Sequence, residues 1–86
     1  MATHKQIIEY MQKATETMEF AEEQLMESHR VQQGDPVQYS QAQQSLNEID
    51  EELDNIYRSA TPEQKADLER YRQQIREIQN QMVLKR

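Results

Sequence analysis

The chain has 86 residues, with 35% hydrophobic and 30% charged side chains, one Gly, two Pro, no Trp and a formal charge of −6. That length fits a single domain, residues 1–86, with a thin core, and the composition excludes collagen-like and Gly/Pro-rich classes. The acidic balance argues against nonspecific nucleic-acid binding, and the absence of cysteine excludes disulfides, thiolate metal sites and thiol nucleophiles.

The first element is a helix over about residues 4–33. Thr3 with Gln6 supplies a cap at its start, and Gly34 stands where a left-handed residue would stop it. Its apolar seam is Ile7, Met11, Ala14, Met18, Ala21 and Leu25, after which Ser28 and Gln32 take the next positions, so the turns from Ser28 to Gln33 are expected to pack loosely. Ala14, Ala21 and Ser28 recur every seven residues, matching core volume against larger side chains on the neighbours. Phe20 falls off this seam, on the outer side of the helix. With Ile8, Met26 and Val31, also off the central stripe, it forms a candidate interaction surface for another protein or a second copy of the chain.

A second helix is expected over about 36–59. Asp35-Pro36-Val37-Gln38 places a carboxylate cap before a proline at the first helical position, where the missing N–H costs nothing. Tyr39, Ala42, Leu46, Ile49, Leu53, Ile56 and Ala60 form its seam. Thr61-Pro62-Glu63-Gln64 repeats the capping device, opening a third helix over about 62–84 with Leu68, Tyr71, Ile75, Ile78 and Met82 inward. The rival is a kinked second helix running on through Pro62. The two later helices would each span about 35 Å at 1.5 Å per residue. Heptad seams joined by very short connections predict an all-α fold, an antiparallel up-down-up three-helix bundle with coiled-coil-like packing.

Charge is uneven: −3 over residues 1–34, −5 over 35–60 and +2 over 61–86. Lys65, Arg70, Arg72, Arg76, Lys85 and Arg86 can therefore flank the acidic second helix. Its densest run is Glu48-Ile49-Asp50-Glu51-Glu52-Leu53-Asp54. Asp50 and Asp54 share a face, but the alternating ligands and central glycine of a calcium loop are missing. His4 and His29 lie too far apart on one helix to share a metal, and neither is tied by spacing to a nucleophile. No catalytic, cofactor-binding or metal residues are assigned. A non-enzymatic protein without a cofactor is expected, with no nucleic-acid, membrane or small-molecule partner. No apolar run approaches a membrane span and no signal-peptide stretch opens the chain, which makes the cytoplasm the expected compartment.

The segments Ala21-Glu22-Glu23-Gln24-Leu25-Met26, Gln38-Tyr39-Ser40-Gln41-Ala42-Gln43 and Ile78-Gln79-Asn80-Gln81-Met82 resemble the YtzC-like family of small helical proteins from Bacillus-type bacteria. That likeness covers nearly the whole chain; it implies a cytosolic protein and carries over no catalytic residues. Glu52-Leu53-Asp54 is also similar to part of the Ser-Gln-Glu-Leu-Asp signature of sporulation phosphatases that act on response regulators. Asp50 and Glu51 replace the first two residues. This second likeness implies an alternative, a phosphatase-like regulator of a phosphorylated receiver domain with Asp54 as its acid. WXG-type secreted hairpins are excluded, since the chain lacks Trp and a Gly turn motif.

Overall fold

The computed structural model describes residues 3–30 and 36–85. Three helices pack against one another: α1 (His4–Arg30), α2 (Pro36–Arg58) and α3 (Pro62–Lys85). Gly34, Asp35 and the packing of the turns from Ser28 to Gln33 lie outside the described residues. No helix among the described residues is long and apolar enough to cross a membrane.

Two helices open on reciprocal caps. The Gln6 amide donates to Thr3 Oγ1 at 3.1 Å while the Thr3 amide donates to Gln6 Oε1 at 2.8 Å. At α3 the same box joins Thr61 and Gln64, with distances of 3.2 and 2.9 Å. Each box satisfies N–H groups that the first helical turn leaves without carbonyl partners. The Thr61-Pro62 step breaks the helix rather than kinking it. Ser59 and Ala60 donate to the carbonyls of Ile56 and Tyr57, three residues back, tightening the last turn of α2. Thr61, preceding proline, is held out of the helical region and starts α3 anew.

The core gathers Tyr10, Ala14, Met18, Ala21 and Leu25 from α1, Ala42, Leu46, Ile49 and Leu53 from α2, and Leu68, Ile75, Ile78 and Met82 from α3. The period of three and four residues finds nearly all of these. It misses Tyr10 and Gln24, which are 2% and 5% exposed. The reason is geometric. A helix flanked by two neighbours buries a stripe wider than a two-position seam, and Tyr10 and Gln24 lie on the α2 side of that stripe. Tyr10 Oη donates to the Ile49 carbonyl at 2.6 Å, and Gln24 Nε2 reaches Gln38 Oε1 at 3.4 Å. Phe20 lies one turn before Gln24 on the same flank. Instead of standing on the outer side of α1, it is partly buried against the core.

Tyrosine hydroxyls cross every helix–helix seam. Besides Tyr10 from α1 to α2, Tyr39 Oη of α2 donates to the Met82 carbonyl of α3 at 2.7 Å. The Tyr71 hydroxyl of α3 meets Thr15 Oγ1 of α1 at 3.1 Å. Thr15 spends its own proton on the Met11 carbonyl at 2.8 Å, which leaves Tyr71 as the donor. These bonds let three large amphipathic side chains enter a small core without leaving a buried hydroxyl unsatisfied. Burial, and then the nearby carboxylates of Glu52 and Asp50, push the Tyr10 phenol well above its ordinary range.

Candidate functional site

The charged residues of α2 and α3 meet as their uneven distribution suggests. Asp54 pairs with the Arg72 guanidinium, which also reaches Glu69 at 3.5 Å. Asp50 Oδ1 lies 3.8 Å from Arg76 Nε, and Gln79 Nε2 donates to Asn47 Oδ1 at 2.9 Å. Arg72 and Lys65 each stand 5.3 Å from the centre of the Tyr57 ring. Between α1 and α2, Lys13 Nζ is 3.2 Å from Glu52 Oε1. Asp54 is exposed, but its carboxylate is held by an arginine of the neighbouring helix; Asp50, its partner on the same face, lies beside a second one. Both positions that could have approached a cation thus face guanidinium groups.

The face where α1 meets α3 is built differently. Among the described residues no ion pair joins these two helices; the Thr15–Tyr71 hydrogen bond does. A groove of about 730 Å³ runs along this junction over a floor of Met11, Thr15, Met18, Tyr71 and Ile78. It continues into a shallower stretch of about 510 Å³ that adds Ile8 and Glu16 and shares Met11, Thr15, Glu19 and Tyr71. Five carboxylates rim the combined groove: Glu16, Glu19 and Glu22 on α1, Asp67 and Glu77 on α3. The one guanidinium at the rim, Arg70, is bound to Asp67. A depression between α1 and α2, about 410 Å³, is spanned by the Lys13–Glu52 pair and lined mainly by polar side chains.

Of the residues expected to form one interaction surface, Ile8, Phe20 and Met26 do not come together. Ile8, 44% exposed, borders the α1/α3 groove. Met26, 60% exposed, lies on the same line of α1 five turns further along, about 27 Å away at 1.5 Å per residue. Phe20 sits on the opposite flank, against the core, and Val31 lies outside the described residues. His4 is exposed at the start of α1, and the His29 side chain lies outside the described residues. What sequence reasoning missed is the groove. Met11, Met18, Tyr71 and Ile78 all stood in the expected seams. Their period says which side faces inward but not where two helices part far enough to leave Met11 and Tyr71 half-buried beside the sealed Met18 and Ile78. The spacing of Glu16, Glu19 and Glu22, with Ile8, Met11 and Thr15 on the same flank, was the available signal.

The comparisons with known proteins agree on one family. The model of a family described as a protein of unknown function, DUF2524, matches residues 1–84. The chain is 31% identical to the uncharacterized protein YtzC of Bacillus subtilis (strain 168), over 98% of this chain and 93% of that one. No solved structure matches it. With its family model spanning nearly the whole chain, the protein belongs to the DUF2524 family.

Proposed function

We propose that this protein is a non-enzymatic docking module of the bacterial cytosol, an up-down-up helical bundle that presents the α1/α3 groove to another polypeptide. The bundle direction is supported by residue pairs whose numbers fall on one helix as they rise on the next: Tyr10 with Ile49 and Gln24 with Gln38, then Asp54 with Arg72, Asp50 with Arg76 and Asn47 with Gln79. Coiled-coil-like packing is supported by burial at seven-residue intervals, in Ile7, Ala14 and Ala21 and in Leu68, Ile75 and Met82.

The observation that carries the docking reading is the groove itself, an apolar floor between two helices under a polar rim. Adjacent helices commonly receive a third amphipathic segment in such a furrow. Half-buried Met11 in the floor gives it an adaptable contact. A second copy of this chain is a poor occupant, because a groove rimmed by five carboxylates would face a molecule of charge −6.

The test is photo-crosslinking in Bacillus subtilis cells, with a photoreactive amino acid placed at Glu19 in the groove or at Glu51 on the exposed side of α2. A defined polypeptide joined from position 19 and not from 51 is the expected result. Equal yields from both positions, or none from 19, refute the reading.

A further inference from the structure

The groove also carries a statement about its occupant. We infer that the partner segment is a basic amphipathic helix of about fourteen residues, lying along the α1/α3 furrow with its apolar side down and its lysines or arginines against the rim. This rests on the docking reading above and adds the chemistry of the partner.

Length comes from the lining. On α1 the groove runs from Ile8 to Glu22, and on α3 from Asp67 to Gln81. Both stretches are about 21 Å at 1.5 Å of rise per residue, which is four turns of an added helix. The apolar side follows from the floor, where the exposed Ile8 and the half-buried Met11 and Tyr71 lie over Met18 and Ile78 of the core, the line broken only by the Thr15–Tyr71 bond. A helix with apolar residues at i, i+3 or i+4, i+7 and i+11 lays one continuous stripe on such a line.

Charge supplies the rest. Glu16, Glu19, Glu22 and Glu77 form no ion pair among the described residues, whereas Asp67 already holds Arg70. In the acidic run of α2, Glu52, Asp50 and Asp54 are paired with Lys13, Arg76 and Arg72, and the exposed Glu48 and Glu51 are left without an apolar furrow beside them. An incoming basic helix therefore finds unpartnered carboxylates around the furrow, beside an apolar floor that α2's outer side does not offer. Cations at the rim raise the rate of encounter and exclude acidic helices, while the apolar stripe sets the residence time.

The experiment is fluorescence anisotropy with a labelled 18-residue peptide carrying leucines at i, i+3, i+7, i+10 and i+14 and lysines elsewhere. Saturable binding is expected, weakening about tenfold between 20 and 200 mM salt as the rim charges are screened. Replacing Glu19→Lys together with Glu22→Lys should weaken it at least tenfold. Glu48→Lys with Glu51→Lys, the same change of net charge on exposed α2 positions, should leave it within twofold. A peptide with serines for leucines should bind at least tenfold more weakly. Circular dichroism of each variant confirms that the fold is retained.

The inference is overturned if the serine peptide, or an acidic peptide with glutamates for lysines, binds as well as the basic one. It is also overturned if the α2 pair weakens binding as much as the groove pair, or if the peptide is shut out by a dimer of the protein seated on the groove. Crosslinking from Glu19 without peptide binding removes the partner chemistry alone; loss of both removes the docking reading as well.

Discussion

Replacing Tyr10 by Phe should lower stability at neutral pH and raise it, relative to the wild type, in strong alkali. Tyr10 is 2% exposed, and its hydroxyl donates to the Ile49 carbonyl at 2.6 Å. That carbonyl keeps its partner within α2, so the variant loses one buried hydrogen bond without orphaning an acceptor, a cost of about 1 kcal/mol. For a chain of this size the melting temperature should fall by about 4–8 °C. The alkaline effect runs the other way. The phenol is held above its ordinary value of 10.0 in the folded state, by burial first and by Glu52 and Asp50 next. Below that value both states keep the proton and the stability is fully present. Above it the unfolded chain ionises while the folded one does not, and stability falls as pH rises. At pH 11 the loss from this group is about 1.4 kcal/mol, and the Phe variant does not suffer it. The two stability curves should therefore cross between about pH 10 and 11. Urea unfolding followed by circular dichroism from pH 7 to 11 measures both. Parallel curves, or a Phe variant as stable as wild type at pH 7, would show that Tyr10 neither bridges α1 to α2 nor stays protonated in the core.

Substitutions at four further positions probe the frame. Ala14 is fully buried, so Ala14→Leu should destabilise by about 1–3 kcal/mol through overpacking, read as an earlier urea midpoint with unchanged slope. Thr61→Ala removes half of the reciprocal cap on α3 and should cost about 1 kcal/mol in thermal unfolding, while Thr61→Ser should cost little. Asp54→Asn should cost no more than about 0.5 kcal/mol and less in 1 M salt, because the pair with Arg72 is largely exposed on the acid's side. Arg72→Ala should cost more, about 1–2 kcal/mol, since its guanidinium also covers the Tyr57 ring and meets Glu69.

The helices were legible because their signals are local. Thr61 and Gln64 stand three residues apart around a proline, and such a box has one good use. The seam of α2 from Ala42 to Leu53 and that of α3 from Leu68 to Met82 repeat at three and four residues, a period that only helices meet. The pairing of acidic α2 with basic α3 followed from charge alone, and Asp54–Arg72 and Asp50–Arg76 supply its contacts. Harder to read were properties of three helices at once. Tyr10, Gln24 and Phe20 lie inward because α2 covers that flank of α1, and no period in α1 states how many neighbours it has. The groove is harder still. Whether Met11 is sealed like Met18 or stands half open depends on how far α3 lies from α1, which is set by side chains on all three helices.

Location of the bound helix is what most directly decides whether the groove is the working part of this protein. Amide chemical shifts of the isotope-labelled chain, followed while the basic amphipathic peptide is added, report that location residue by residue. Shifts should gather on α1 between Ile8 and Glu22 and on α3 between Asp67 and Gln81, with Gln44, Glu48 and Glu51 of α2 left nearly still. Shifts centred on the acidic run of α2, or spread evenly over every carboxylate, would mean that the peptide answers to net charge and that the α1/α3 groove is not a docking site.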